Sequence, residues 1–377
     1  EQAKLTASDG AASDWFGYSV AIDDDTVAIG AYLDDGAAGG DQGSAYVFTR
    51  SGTTWSEEQQ LTASDGAASD WFGTSVDISG DTIAVGSQLD DAGAGDSGSG
   101  YVFTRSGSTW SEQQKIQASD GAGSDWFGHA IAVDGDTVLS GAYLDDVDTR
   151  GDQGSFYSFE RSGTTWSEEQ KVSDSGHSAD YFGYSVAVSG DTAIVGAYLA
   201  DENATGDPGG AFVFTREDEG TIWRLQQRLS PTDIAAGDRF GYAVDLDGDT
   251  AIVGSYLDDI GLNGDQGSAY IFTRTKRTWS DQAKLKARDG LDGDYFGEAV
   301  AISGDSVVIG SYLNGVIDEG AAYVFTRSGT TWSEEQKIEA NDGAAVDYFG
   351  SAVDIDGDLI VVGSLLEDSG IGDGGSA

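Results

Sequence analysis

Cysteine and methionine are both absent from the 377 residues, and there are only two prolines and two histidines. Without cysteine there are no disulfides, no thiolate chemistry and no cysteine-ligated zinc, and the redox compartment stays open. Without methionine even an initiator is missing, so the chain is expected to be a processed or excised piece. No signal peptide, lipidation motif or apolar run of membrane-spanning length lies within it. Positive charge is the other shortage: 19 Lys+Arg face 66 Asp+Glu, a net charge of −47. Such a field repels phosphate backbones and anionic head groups, which argues against nucleic-acid binding and direct membrane insertion and in favour of metal cations, cationic partners or a saline medium. Asp outnumbers Glu by 50 to 16 and only seven basic residues are Lys. That composition suits salt water, where a short screening length relieves self-repulsion.

What remains is a foldable, strongly periodic chain. Hydrophobic residues make up 39%, with 15 Phe, 16 Tyr and 9 Trp, too aromatic for a disordered acidic polymer. The dipeptide Phe-Gly recurs at Phe16-Gly17, Phe72-Gly73, Phe127-Gly128, Phe182-Gly183, Phe240-Gly241, Phe296-Gly297 and Phe349-Gly350, at spacings of 56, 55, 55, 58, 56 and 53 residues. The segment SGTTWSEEQ appears at 51–59, 162–170 and 328–336, as expected of a duplicated module. Within the first unit, short β-branched runs predict strand A from Tyr18 to Ile22, B from Thr26 to Tyr32, C from Ala45 to Arg50, and D from about Trp55 to Leu61. Turns such as Asp23-Asp24-Asp25, Ser79-Gly80-Asp81 and Ser51-Gly52-Thr53-Thr54 join A to B and C to D, glycine supplying positive φ. One such sheet cannot bury both faces, so seven are expected to pack radially. The expected fold is all-β, a seven-bladed β-propeller of four-stranded antiparallel blades, forming a single domain over residues 1–377.

Each unit resembles the FG-GAP repeat found in integrin α-subunit propellers and in many secreted bacterial, archaeal and algal proteins. Phe16-Gly17 supplies the first half, and Gly30-Ala31-Tyr32 stands where Gly-Ala-Pro would; the second half never ends in proline here. The resemblance implies an extracellular or cell-surface module for adhesion or recognition. It does not bring the integrin-type calcium loop, an Asp-x-Asp-x-Asp-Gly-x-x-Asp run between strands A and B, because the Asp-Gly-Asp turns are too short to wrap a cation.

Hairpin connectivity places the B-to-C and D-to-A loops together on one face, which gathers roughly half of the carboxylates there. The other face receives Arg50, Arg105, Arg161, Arg216, Arg274 and Arg327 at the ends of the C strands. Gly-rich acidic loops suit calcium, the one expected cofactor, and the best ligand sets are Asp34, Asp35 and Asp41; Asp145, Asp146 and Asp152; and Asp258, Asp259 and Asp265. The competing reading is that these aspartates cap turns through side-chain to backbone hydrogen bonds. Trp15, Trp71, Trp126, Tyr181, Tyr295 and Tyr348 precede Phe-Gly at the edge of the acidic face and are the candidates for ligand contact, Arg239 interrupting the series. Trp55, Trp110, Trp166, Trp223, Trp279 and Trp332 open the D strands and are expected to seal blade against blade.

Catalysis finds no support: His129 and His177 occupy non-equivalent positions, and no nucleophile elbow, phosphate loop or zinc-protease motif is present. The chain is read as a non-enzyme. Strand accounting gives 27 of the 28 strands that seven blades need, because Glu1 to Ala7 resembles the end of a D strand while the last unit offers only Ser351 to Asp356 and Leu359 to Leu366. The seventh blade is therefore expected to be incomplete in this chain, lacking its C strand. Truncation, direct pairing of Glu1 to Ala7 with the last B strand, and strand donation by a neighbour would each account for this. Three functions follow: an extracellular propeller binding a protein or glycan on its acidic face, with calcium dependence in play; a fibre or sheath subunit, a homopolymer through the open blade; and an accessory domain of a larger secreted enzyme.

Overall fold

A computed structural model describes the chain except for residues 37–38, 92, 148–150, 175–178, 202–205, 217–219, 316 and 368–373. His177 lies outside the described residues. The fold is a β-propeller. Six sheets have four antiparallel strands in simple meander order. Blade two shows the pattern: Phe72–Ser79, Thr82–Ser87, Ser99–Ser106 and Thr109–Ile116. Its neighbours begin at Ser19–Asp23 (blade one) and Ala130–Asp134 (blade three). Blades four, five and six begin at Ser185–Ser189, Val244–Asp247 and Val300–Ser303.

The sequence dictates this layering. Second strands such as Thr82–Ser87 are buried from end to end because both faces of the sheet are covered by adjacent blades. Fourth strands such as Thr109–Ile116 are polar and partly exposed, forming the rim. Between blades one and two, Ala28, Val47 and Leu61 pack on Phe72, Ile78, Ile83 and Tyr101. Trp110, Trp166, Trp223 and Trp279 seal the rim at 2% exposure. In blade two the Trp110 backbone and the Gln59 amide of the preceding blade exchange two hydrogen bonds, at 2.9 and 2.8 Å. The first strands pack successively about the axis, the last against the first, so the ring closes.

Around the axis, three aspartates stitch one first strand to the next. Asp77 accepts from Val133 N at 2.6 Å, Asp245 from Ile302 N at 2.7 Å and Asp354 from Ile22 N at 2.7 Å. Burial pushes their carboxyls up, to about 6 for Asp245, to about 7 for Asp354 and well above the ordinary value for Asp77.

The seventh unit has two named strands, Phe349–Asp356 and Leu359–Ser364. Ser364 forms an antiparallel bridge with Ser376, and Leu5 and Ala377 exchange both backbone hydrogen bonds, at 2.7 and 3.2 Å. Ser376 and Ala377 thus occupy the register of Ser44 and Ala45 in blade one, where Ala31 pairs with Ser44 and Ala45 with Leu61. Direct pairing of Glu1 to Ala7 with the last B strand does not occur at Leu5: Ala377 lies between Leu5 and the strand that ends at Ser364. Residues 375–377 supply only the beginning of a third strand there.

Candidate functional site

In blades one, two, three and five the D-to-A and B-to-C loops meet over the end of the third strand, where a buried tyrosine binds them together. In blade two, the single O–H of Tyr101 is shared between Asp65 Oδ1 at 2.8 Å and Asp90 Oδ2 at 2.5 Å. Lys115 of the fourth strand pairs with the same two carboxylates at 2.8 and 2.6 Å and lies 5.2 Å from the tyrosine ring centre. Burial pushes the Tyr101 phenol up, and its acidic neighbours push it further. For Asp65, burial acts upward but the bonds from Lys115 and Tyr101 outweigh it and hold the carboxyl below the usual range. The same set recurs as Tyr157, Asp120, Asp145 and Lys171, and as Tyr270, Asp233, Asp258 and Lys284. Blade one has Gln60 in the lysine's place. Blade four departs at three positions together: Phe212 replaces the tyrosine, Ala200 the aspartate, and Arg228 the lysine, lying 5.2 Å from the Phe212 ring.

This network decides where the candidate metal ligands go. The first aspartate of each set is drawn into it: Asp34 accepts from Tyr46 and Gln60 at 3.0 Å, while Asp145 and Asp258 pair with lysines at 2.7 and 2.6 Å. The other two close the loop on themselves. Asp41 N donates to Asp35 Oδ1 at 3.0 Å, Asp152 N to Asp146 Oδ1 at 2.9 Å, and Asp265 N to Asp259 Oδ1 at 3.0 Å, with Asp41, Asp152 and Asp265 in the left-handed region at φ 54, 53 and 52°. The three aspartates of a set therefore do different jobs and do not converge on one point. Among the described residues the carboxylates that do converge are Asp23, Asp24 and Asp356, at the A-to-B turns of adjacent blades on the opposite face. There the arginines are neutralised too, Arg105 pairing with Asp81 at 2.8 Å and Arg161 with Asp136 at 2.6 Å.

The candidate contact aromatics form a belt around the axis. Trp15 packs edge-on against Tyr32 at 5.5 Å, and Tyr32 against Trp71 at 5.1 Å. After a break at Gln88 the belt resumes from Trp126 through Tyr143 and Tyr181 to Tyr198, with centroids 5.6, 5.4 and 5.6 Å apart. Arg239 then lies 5.8 Å from the Tyr198 ring, taking the place of an aromatic. Tyr256, Tyr295, Tyr312 and Tyr348 continue the belt at 5.5, 5.9 and 5.3 Å, and Leu365, at the position of Tyr32, interrupts it before Trp15. Trp15, Trp71, Trp126, Tyr181, Tyr295 and Tyr348 are all half-buried, at φ between 57 and 59°.

Sequence reasoning missed an inner ring, formed by the residue after each Phe-Gly: Tyr18, Thr74, His129, Tyr184, Tyr242, Glu298 and Ser351. Its signal was variation at one position of an otherwise near-identical repeat. Burial pushes Glu298 up to about 8 and His129 down to about 4, so His129 is neutral at pH 7. Among the described residues, Glu298 Oε2 and Trp126 Nε1 are buried without a hydrogen-bond partner.

The profile of the FG-GAP repeat matches seven segments: 1–48, 55–103, 110–159, 166–214, 223–272, 279–325 and 332–377. The chain belongs to the FG-GAP repeat family. Among curated proteins it is similar to integrin alpha-2 of Bos taurus, 30% identical over 214 residues, which is 51% of this chain and 17% of that protein. It is also similar to integrin alpha-2 of Mus musculus, 29% identical over 229 residues, which is 54% of this chain and 18% of that protein. The matched region is thus less than a fifth of these relatives.

In this FG-GAP propeller the two halves of the signature meet across a blade boundary. A Cβ at Gly86 would lie 1.9 Å from the Gly128 carbonyl oxygen, and one at Gly128 would lie 2.2 Å from the Ser99 carbonyl oxygen. The Phe127 ring then anchors the joint against Tyr157 and Phe159 at 5.4 and 5.9 Å. Glycines allow the blade backbones to cross in contact, and the phenylalanine fixes where they cross.

Proposed function

We propose that the chain works as one extracellular, non-enzymatic adhesion domain that holds a protein or glycan ligand on its acidic loop face. The observation that carries this reading is the belt of half-buried aromatics around the axis, together with Trp126 Nε1 in the belt and Glu298 Oε2 in the inner ring, both buried without a hydrogen-bond partner among the described residues. A face of that kind offers stacking surface, a buried donor and a buried acceptor inside an acidic rim. The opposite face offers arginines already neutralised by aspartates. Similarity to integrin alpha-2 supports an adhesive role at a cell surface.

Gly-rich acidic loops suit calcium by composition. The aspartate sets fit a tight calcium site poorly, because in each set one carboxylate is held by lysine, glutamine or tyrosine and a second by the backbone N–H of the third aspartate. Ligand binding is therefore not routed through a metal. Melting in chelator and in millimolar calcium is expected to give the same midpoint; saturation to 100 times Kd would add about 2.7 kcal/mol and a readily measured rise.

The binding test uses the immobilised chain against a panel of extracellular-matrix proteins and oligosaccharides. Trp71→Ala and Trp126→Ala should weaken capture at least about tenfold, a loss of ~1.4 kcal/mol, while Arg105→Ala on the opposite face should leave it unchanged. The reverse pattern would refute the assignment of the face.

A further inference from the structure

Four of the six large hydrophobics exposed among the described residues gather on one side of the acidic face: Leu262 is fully exposed, and Leu291, Ile317 and Val346 are each about half exposed. Leu262 and Leu291 stand at the boundary of blades five and six. Their loops are tied together there by Asn263 Nδ2, which donates to the Gly290 carbonyl at 3.1 Å, and by Gly293 N, which donates to the Gly264 carbonyl at 2.9 Å. Ile317 and Val346 stand at the next boundary, between blade six and the seventh unit, where Val346 N donates to the Ile317 carbonyl at 3.0 Å.

The fold does not need this bulk, because the same bonds recur elsewhere with small residues. The bond from Val346 to Ile317 is made by Ser69 to Gly40, Ser124 to Gly95, Ala179 to Gly151 and Gly293 to Gly264. Leu291 N donates to Asp294 Oδ2 at 2.6 Å, a bond that Ala11, Ala67, Ala122, Ala235 and Ala344 make in their own loops. Val346 carries a further cost: it lies in the left-handed region at φ 62°, which disfavours a β-branched side chain, where Ser13, Ser69 and Ser124 stand in other units. An exposed valine in that conformation gains nothing from burial within the chain, so the strain points to a contact outside it. The charge around the four side chains is negative and unrelieved. Partial burial, and then the charges of Asp259 and Asp292, raise the Asp265 carboxyl above its ordinary value, with no cation beside it among the described residues to offset them. Asp318 and Glu319 directly follow Ile317, and Arg288, the cation nearest in the chain to Leu291, is held by Glu334 at 2.8 Å.

We infer that these two boundaries form a docking surface for a protein partner that presents aliphatic side chains bordered by lysine or arginine. The inference rests on the acidic-face reading above and narrows it from protein or glycan to protein. Branched aliphatic side chains pack against their own kind and offer no flat face on which a sugar ring could stack. The surrounding carboxylates repel an anionic lipid surface and, at a net charge of −47, a second copy of this chain, and they attract a basic border. Tyr295 and Tyr348 follow in the same loops as Leu291 and Val346, so the apolar strip continues inward to the aromatic belt.

The probe is the synthetic peptide Lys-Leu-Leu-Lys-Lys-Ile-Leu-Lys, titrated into the whole chain at about 0.15 M salt so that weak surface attraction is screened. Saturable one-to-one binding is expected. A peptide with serine at every aliphatic position, and one with glutamate at every lysine, should each bind at least about tenfold more weakly. The paired changes Leu262→Ala with Leu291→Ala, and Ile317→Gly with Val346→Ser, put small residues at these positions and should each weaken the parent peptide at least about tenfold. Val346→Ser alone should leave the melting temperature unchanged or raise it, and Arg105→Ala on the opposite face should leave the affinity unchanged. Absence of saturable binding, equal binding of the serine or glutamate peptide, or a lowered melting temperature in Val346→Ser would each overturn the proposal. Trp71→Ala and Trp126→Ala separate the two readings: if they weaken the peptide and the loop pairs do not, the acidic face stands as a binding face and this inference falls. A loss confined to Arg105→Ala would sink both.

Discussion

The tyrosine network contains its own mutational experiment, because blade four lost tyrosine and aspartate together. Tyr101 and Asp90 are 0% and 5% exposed and 2.5 Å apart. Tyr101→Phe removes the phenol and leaves Asp90 buried with Lys115 as its remaining charged partner, at 2.6 Å. A hydrogen bond to a charged group contributes about 1.5–3 kcal/mol, so this variant should lose about 2 kcal/mol. Asp90→Ala alone should lose a similar amount, because Lys115 keeps only Asp65. The pair Tyr101→Phe with Asp90→Ala copies Phe212 and Ala200, and removing donor and acceptor together leaves no buried carboxylate without its phenol, with Lys115 still paired to Asp65. It should cost about 1–1.5 kcal/mol less than the sum of the singles. The reverse cycle in blade four gives a second check. Phe212→Tyr alone buries a hydroxyl beside Ala200 and Arg228, while Phe212→Tyr with Ala200→Asp restores an acceptor. Equilibrium unfolding in urea at fixed salt, which leaves the ion pairs unscreened by the denaturant, measures these five variants and the Ala200→Asp single that completes the second cycle, and an unchanged slope shows that midpoints report stability. Additivity within about 0.5 kcal/mol in both cycles would refute the claim that these groups act as a unit.

Stability should peak on the acid side of neutral. The folded chain raises Asp245 and Asp238 to about 6, Asp354 to about 7 and Glu298 to about 8, from ordinary values of 3.8 and 4.5. Their contribution is complete below the unfolded values and is lost as pH rises through the folded ones. Asp65, Asp120, Asp233 and Asp289 are held low and contribute in the opposite sense, losing stability as pH falls below about 4. Urea midpoints should therefore fall from about pH 5 to pH 8 at constant ionic strength, and Asp354→Ala, the residue already present at Ala21 and Ala132, should flatten that fall; a flat or rising profile in the parent would contradict the assignment. Gly98→Ala, whose Cβ would sit 2.0 Å from the Phe127 carbonyl oxygen, should abolish soluble expression or cost more than about 3 kcal/mol. Gly107→Ala, at φ +68° with nothing within 4 Å, should cost only about 1–2 kcal/mol, and equal losses would show that conformation rather than crowding selects these glycines. Trp110→Ala should cost about 3–5 kcal/mol by opening the seam between blades one and two, read as a lower urea midpoint; a loss below about 1 kcal/mol would mean the rim tryptophans do not seal it.

The repeat made the architecture legible from composition and spacing alone. Seven Phe-Gly dipeptides, four short β-branched runs per unit and tight Asp-Gly turns leave radial packing as the way to cover both faces of every sheet. Hairpin connectivity also assigned the acidic loops to one face and the arginines to the other, since strand direction alternates regardless of detail. Tertiary structure alone decided which carboxylates are available. Asp34 and Asp35 are neighbours in sequence, yet one turns inward to Tyr46 and Gln60 while the other caps its own loop, because burial requires the first to be paired and solvent leaves the second to the backbone. The inner ring was hidden for a related reason: Tyr18, His129, Tyr184, Tyr242 and Glu298 lie at least 55 residues apart along the chain and become neighbours only when the circle closes. Closure itself was settled by Ala377 and Leu5, 372 positions apart, whose backbone groups pair because each would otherwise be left at an open edge.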